Sequence, residues 1–434
     1  MSLAPILAQK HLRERLAGAM RGGPFGALDM GASKAAVLIV QADPAALAKS
    51  GEGREADLYS GLRVIGAGSA RSLGVGADGA VFDAEGAAEA LSRAVSEAEA
   101  SAGVRIKQGL LSVGGLARLA PAAASLRLGR GPIGDRELAR ALEACRPEPT
   151  PRTREPIDAY PVGFSVDGRA MKDPRGETGR RLSAEIRVVS VDRAALGALA
   201  QAARLCGIEP VGAAASGYAS GLACLSDDEL DLGALCFDMG GGSIQAAAFR
   251  GGRLLHVEVE PMGGAHVTYD VAAALGVGFQ EAERLKKTGG EGAAPMVRST
   301  LERVIRPRLD EMFELLQNRL KAGGKLSAEF GGSFSGDFGG DFGGRPIALT
   351  GGASQTMGAL EAARAVFGPR VRLGRPIRPA SAAEGASAPE YAAAAGLAAH
   401  ALRAREDAWI GPLLDSLAPR TGAAAALDWW RRNW

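Results

Sequence analysis

The sequence predicts an α/β protein in which two strand-turn-strand hairpins face one nucleotide, and three observations carry that prediction. Asp29-Met30-Gly31-Ala32-Ser33-Lys34 and Asp238-Met239-Gly240-Gly241-Gly242-Ser243 lie 209 positions apart, each between two apolar stretches. Strand-like and helical patterns alternate along most of the chain. A third glycine turn, Thr350-Gly351-Gly352-Ala353-Ser354, follows the apolar run Pro346 to Leu349 and opens a helical pattern from Met357 to Phe367.

Taken singly, each motif also reads as a plain tight turn. Together they supply what a nucleotide needs. Glycine lets backbone N–H groups approach an anion with no Cβ in the way, and a small hydroxyl residue such as Ser33 or Ser243 adds a donor, so Gly31 to Lys34 and Gly240 to Ser243 are the expected phosphate contacts. A carboxylate at each strand end, Asp29 and Asp238, then faces Mg²⁺, which keeps several waters and binds nucleotide sites through one or two carboxylates plus phosphate oxygens. At the third turn the exposed N–H groups of a helix start favour phosphate. The pair Gly351-Gly352 also lets a flat adenine or a ribose lie against the backbone.

Size and composition bound the rest. A 434-residue chain that is 47% hydrophobic and 23% charged has material for two to four domains or subdomains. A net charge of +2 gives no broad footprint for nucleic acid. Lysine makes up only 9 of the 51 basic residues, a bias read as one of coding rather than function. Cys145, Cys206, Cys224 and Cys236 form no C-x-x-C pair, which points to a reduced, cytosolic compartment, and the four histidines lack zinc spacing. No apolar run has transmembrane length, and His11, Arg13, Glu14 and Arg15 interrupt the place of a signal peptide.

Residues 1–24 read as a tail ending in the breaker Arg21-Gly22-Gly23-Pro24, after which Phe25 to Gln41 is the first hairpin and Gly61 to Gly68 a third strand. From Asp83 the pattern turns helical: Ala87, Leu91, Ala94, Val95 and Ala98 share one stripe, and Gly103 ends it. Leu110 to Val113 is a short buried strand. Residues 25–85 are thus expected to open a first large domain, and 86–176, with a Pro-rich centre and short β-like pieces, to form an inserted α+β subdomain. The chain returns over 177–206 with a strand from Ala184 to Ser190 and a helix from Arg193 to Leu205. A second domain follows over 207–400, with a helix from about Ser216 to Leu225, the second hairpin, and helices over Thr268 to Ala274, Phe279 to Lys287 and Ser299 to Leu320. Within it, 322–344 is a glycine-rich stretch with Phe330, Phe334, Phe338 and Phe342 at four-residue spacing, read as a flexible insertion because glycine at that density opposes a helix.

In order and approximate spacing the three turns resemble the actin-like ATPase superfamily: first phosphate hairpin, second phosphate hairpin, adenosine turn. Glu283-Arg284-Leu285-Lys286-Lys287 resembles the Glu-x-x-Lys element that clamps adenosine in heat-shock chaperone ATPases, although the same spacing is also a common surface ion pair. Met262-Gly263-Gly264 is similar to the glycine pair beside the phosphates. Within the superfamily the chain resembles the FtsA family of bacterial cell-division proteins, through Val64 to Ser69, Asp238 to Ser243, Glu281-Ala282-Glu283, Leu349 to Ser354 and Val371 to Pro376. The resemblance implies two large actin-like domains around a nucleotide cleft, the insert contributing to filament contacts, ATP and Mg²⁺ as ligands, and at most slow hydrolysis. It implies the tubulin-like FtsZ, further copies of the chain and other division-site membrane proteins as partners. Three departures stand out: Ala32 replaces the usual hairpin threonine, no Asp, Glu or Gln lies in Ala213 to Ala219 to orient a water, and 322–344 is an addition.

Residues 401–422 read as a linker and 423–434 as an amphipathic helix. On a helix Ala423, Leu427, Trp430 and Trp434 form one stripe, Arg431 borders it and Arg432 lies opposite; with Trp429 this describes an interfacial anchor for anionic lipid, and the family resemblance implies that it sits on the cytoplasmic side of the cell membrane at the division site. A terminal helix docked on the protein's own body is the alternative. Two other functional classes share the fold: a phosphotransferase of the sugar or acetate kinase or exopolyphosphatase type, and the scaffold ATPase of pilus assembly.

Overall fold

Phe25–Met30 (β1) and Lys34–Ala42 (β2) pair antiparallel with Asp29 opposite Ala36 and Met30 opposite Ala35. This is a computed structural model, and it describes residues 15–16, 18–43, 61–145, 153–171, 173–329, 344–381, 383 and 385–406. Leu62–Arg71 (β3) extends the hairpin, and Gln108–Val113 (β4) joins β1 in parallel. The helix between them, Ala84–Ala102 (α1), starts where Asp83 caps the N–H groups of Glu85 and Gly86 and stops at Gly103 in the left-handed region.

The chain then leaves this sheet. Arg118–Arg127 (β5), Arg154–Val166 (β6), Arg169–Met171 (β7) and Arg181–Asp192 (β8) make a separate antiparallel sheet in the order β5-β8-β6-β7, with Asp135–Ala144 (α2) on one face. Leu138, Leu142, Phe164, Leu182 and Ile186 form its own core. The other face carries Ile157, Tyr160, Val189 and Val191 into the main core, so the insert is docked along the body.

Arg193–Leu205 (α3) brings the chain back to Glu209–Ala215 (β9), which lies beside β4 at one edge of the first sheet, in the order β3-β2-β1-β4-β9. Ser216–Cys224 (α4) crosses to the second half, and a short acidic helix, Asp227–Leu232 (α5), opens on a capping box made by Ser226 and Glu229. The second sheet, β12-β11-β10-β13-β14, comprises Ala234–Met239 (β10), Ile244–Arg250 (β11), Arg253–Glu260 (β12), Ile347–Thr350 (β13) and Val371–Leu373 (β14). Its helices are Gly264–Leu275 (α6), Phe279–Thr288 (α7), Pro295–Glu329 (α8) and Ala359–Phe367 (α9). The chain finally recrosses: Ala380–Ser381 (β15) pairs with β3, and Ala392–Glu406 (α10) packs on β1, β2 and β4.

Strand alternation explains how two cores share one sheet. On β10, Ala234 and Cys236 face the first core, while Leu235, Phe237 and Met239 face the second. Each such fully buried leucine or phenylalanine contributes about 1.5–3 kcal/mol. Between the sheets lie α4, buried along its whole length, and α10. The two helices approach so closely that a Cβ on Gly396 would overlap the carbonyl of Ala219, and α4 lies so close to the second sheet that one on Gly221 would overlap the Phe249 ring of β11.

Several expected boundaries move. Residues 15–16 and 18–21 of the expected tail are helical, Leu16, Ala19 and Met20 are buried in the main core, and Arg15 Nη2 donates to Pro210 O at 2.6 Å. The insert expected at 86–176 gives up α1 and β4, which belong to the first sheet, and takes β8 from the expected return segment 177–206. The unit expected at 207–400 loses β9, β15 and α10 to the first sheet's half. The helix α8 runs to Glu329, into the stretch expected to be a loop from 322, and α10 runs to Glu406, into the expected linker. At the third turn, Gly352–Gln355 is a single 3₁₀ turn, and α9 begins only at Ala359.

Candidate functional site

The two hairpins are built alike, residue for residue. Gly31 N donates to Lys34 O and Gly240 N to Ser243 O, both at 2.9 Å, and Asp238 stands opposite Gln245 as Asp29 stands opposite Ala36. Each aspartate strand also has a parallel neighbour, β4 beside β1 and β13 beside β10. The chain thus holds the same turn twice, once in each half, and brings the two tips together. A Cβ on Gly241 would overlap Ser33 Oγ, and one on Gly242 would overlap the carbonyl of Ala77 from the loop after β3.

Both carboxyls sit where burial penalises charge. Burial raises Asp29 above the ordinary carboxylate value, opposed by a hydrogen bond from Ser112 Oγ and by the charge of Lys34. Asp238 is pushed up to about 6, mainly by burial and further by Asp29, against the hydrogen bond from Ser220 Oγ at 2.7 Å. Two mutually repelling, desolvated carboxyls form a donor set suited to a hard divalent cation that keeps its waters. Among the described residues no three His, Cys, Asp or Glu side chains cluster as a metal cage, so a cation here would complete its shell from water and phosphate.

Around the second hairpin the other glycine pairs converge. Gly264 N donates to Gly240 O at 2.9 Å and Ala265 N to Gly241 O at 2.8 Å, and a Cβ on Gly263 would stand 2.6 Å from both Gly240 O and Ser243 N. The start of α6 therefore commits these N–H groups to the hairpin. Gly264 also faces the Ala353 side chain of the third turn, where Ser354 Oγ donates to Gly351 O at 2.7 Å. A Cβ on Gly351, whose φ of 86° suits glycine, would stand 2.6 Å from Met239 O.

The Glu-x-x-Lys element lies in the same place, and its lysine is no surface partner. Lys286 is buried, with Nζ at 2.7 Å from Glu283, 2.9 Å from Gly264 O and 2.8 Å from Thr268 Oγ1. Burial lowers the Lys286 pKa against the pull of Glu283. Burial would raise Glu283, but the hydrogen bonds from Lys286 and Thr268 outweigh it and hold the carboxyl below its usual value. Lys287 differs: it is exposed and reaches only the far side of Glu283, at 3.4 Å.

Lys34 also departs from the expectation of a phosphate contact. Its Nζ donates to Glu390 Oε1 at 2.6 Å and lies 4.4 Å above the Tyr391 ring. Gln355 Nε2 meets the other Glu390 oxygen at 3.2 Å, so Glu390 ties the first hairpin to the third turn. Gln245, equally unforeseen, is buried and accepts from Gly217 N at 3.2 Å, capping α4 from the neighbouring sheet. The stripe Leu427, Trp430 and Trp434, with Trp429, Arg431 and Arg432, lies outside the described residues. No helix among the described residues is long and apolar enough to cross a membrane.

Comparison with known proteins completes the picture. The family model "Cell division protein FtsA" matches residues 235–396, and the model "SHS2 domain inserted in FTSA" matches residues 115–190, the span of the inserted sheet. The cell division protein FtsA of Agrobacterium fabrum is 32% identical over 376 residues, covering 80% of each chain. That of Rhizobium meliloti is 31% identical over 371 residues, again covering 80% of each. Among solved structures, the PilM-PilN type IV pilus biogenesis complex superposes with a TM-score of 0.60 at 20% identity, over 87% of this chain and 98% of that one. The fold is that of the actin-like ATPases.

Proposed function

Because the chain belongs to the FtsA family of cell division proteins, we propose that it binds ATP with Mg²⁺ between its two halves, associates with copies of itself, and tethers the tubulin-like FtsZ to the cytoplasmic face of the membrane. The observation that carries the nucleotide part is the meeting of two like hairpins, each with an enclosed aspartate, tip to tip. Asp29 and Asp238 would hold the hydrated cation, Ser33 and the N–H groups of Ala32 and Gly241 to Ser243 the phosphates, and Gly263 and Gly264 the floor beneath them, while the N–H groups of Gly31 and Gly240 close the two turns. Gly351 to Ser354, Glu283 and Lys286 would line the adenosine side. Magnesium would neutralise phosphate charge there; the residues of the chain supply position and exclude water. Hydrolysis is proposed to be slow, since Gln245, the polar side chain beside the start of α4, is engaged with Gly217.

The raised carboxyls give this reading a pH signature. A carboxyl whose pKa is higher in the fold than in the unfolded chain favours the fold fully below its unfolded value and loses that advantage as pH rises through its folded value, here about 6 for Asp238. A cation reverses the preference, because it binds the ionised pair. The Mg²⁺-dependent part of ATP affinity should therefore grow about tenfold from pH 5 to pH 7.5, as Asp238 ionises, and Asp238→Asn should flatten that rise. Calorimetric titration at several pH values, with and without Mg²⁺, reads it; an equal rise in both proteins would remove Asp238 from the metal.

The membrane part rests on the C-terminal stripe. Trp430→Glu places a charge at its centre and should release the protein from anionic vesicles in co-sedimentation while leaving ATP affinity and the unfolding midpoint unchanged. A lowered midpoint with vesicle binding intact would instead mark a helix docked on the body.

A further inference from the structure

The inserted sheet lies lengthwise along the molecule, and its two ends differ. Arg193 N donates to Thr153 O, and α3 then runs to the end of the first sheet where β4 and β9 begin, Glu209 N donating to Lys107 O. β1, β4 and β9 are parallel, and β1 ends at the cleft with Asp29. The start of α3, and with it Asp192, is therefore at the cleft end. Moving back along β8, Arg187 reaches Leu255 O at 3.5 Å, and Arg181 lies six residues further from the cleft, about 20 Å on at ~3.3 Å per residue. The helix α10 runs the same way: it starts from Tyr391 beside Lys34 and leads to Glu406, from which residues 407–434 continue.

On this far end the insert is crowded with positive charge. Arg127, Arg130, Arg180 and Arg181 are all exposed. Arg127 stands directly opposite Arg181 in the β5–β8 ladder, and Leu128 N donates to Arg180 O at 2.9 Å. Two acids lie near: Asp167 accepts from the backbone N–H groups of Arg180 and Arg181, which leaves one negative charge beside the four arginines, and Glu177 pairs with Arg169 at 2.7 Å. Among the described residues none of the four arginines has an ion-pair partner. Like charges directly opposite in an antiparallel pair repel, so this end is poised for an anion from outside the chain.

We infer that the arginine end of the insert is a second contact with an anionic membrane surface, working beside the C-terminal segment. The inference rests on the tether reading for its choice of a lipid surface, because the patch points toward the end at which the chain leaves α10. With the cleft at the other end, lipid contact leaves the nucleotide site accessible. Each arginine near an anionic surface adds on the order of fivefold to partitioning, and two weak contacts on one body multiply through effective concentration.

The test uses the full chain and vesicles of phosphatidylcholine with or without phosphatidylglycerol, at low and moderate salt. Arg127→Glu with Arg130→Glu should weaken binding to the anionic vesicles by about 25-fold or more, reduce its salt dependence, and leave the unfolding midpoint unchanged or higher, since a carboxylate would then oppose Arg181 across the ladder. Unchanged binding would overturn the inference. If Trp430→Glu loses vesicle binding and the arginine variant does not, the tether reading stands and this one fails; the converse result keeps this one and removes the C-terminal anchor. Binding of an oligoglutamate peptide in place of anionic vesicles would assign the patch to an acidic peptide and overturn the membrane contact.

Discussion

Gly241→Val is expected to abolish ATP binding, a loss of at least about 100-fold, without unfolding the protein. The effect follows from where the residue sits. Its Cα abuts Ser33 of the opposite hairpin, and a Cβ would overlap the Ser33 hydroxyl and stand 2.8 Å from Ser33 Cβ. A branched side chain would then hold the tips apart, separating Asp29 from Asp238 and filling the space proposed for phosphate. The tip lies at the cleft rather than in either core, so the unfolding midpoint should move little. Gly31→Ala is the control, because its Cβ would meet only Lys34 O, at 3.2 Å. Titration calorimetry with ATP and Mg²⁺ distinguishes them; an affinity close to that of the wild type for Gly241→Val would remove this hairpin from the site.

Gly396→Val should act on stability. The position lies on α10 where it crosses α4, and a Cβ there would overlap the Ala219 carbonyl and come within 2.7 Å of Ala219 Cα. Backbone cannot rotate away as a side chain can, so the two central helices must separate and the main core, to which both contribute, must loosen. Overpacking of this kind costs roughly 1–3 kcal/mol and more when backbone must shift. Gly197→Ala, in the middle of α3 with nothing near its Cβ position, should instead stabilise by about 0.5–1 kcal/mol. Chemical denaturation of the pair reads both signs, and an unchanged midpoint for Gly396→Val would contradict the close helix crossing.

What the sequence reveals and what it conceals separate along physical lines. The hairpins are legible because glycine, aspartate and flanking apolar runs are local signals, and α1 because its stripe and both its caps lie close together in the chain. The stripe says that a helix buries one face, however, and not which sheet it buries it against. That is why the sequence alone places α1 with the insert, and why it puts β9 and β15, whose partners are chosen by parallel pairing far along the chain, in the wrong half. Lys34 looks like a phosphate ligand because its acid, Glu390, lies 356 positions away. Ser112, Ser220 and Gln245 do leave a trace: each is a lone polar residue in a small or apolar run, Leu110-Leu111-Ser112-Val113, Tyr218-Ala219-Ser220-Gly221 and Ile244-Gln245-Ala246. A buried polar group needs a partner, and here each holds an aspartate or caps a helix.

The lateral docking of the insert has a consequence for solubility. β12 is the outermost strand of the second sheet, and such a strand offers its unpaired backbone to any passing chain. Here the insert closes it with side chains: Tyr160 Oη donates to Leu254 O at 2.9 Å, Arg187 reaches Leu255 O, and Arg253 in return donates to the carbonyl of Pro161. A shortened chain lacking residues 116–192 would keep both hairpins and the sheets that carry them, yet it would bare this edge along with the apolar side chains beneath it. Whatever else the insert does, it is the lid that keeps a long-lived β-sheet from recruiting strangers.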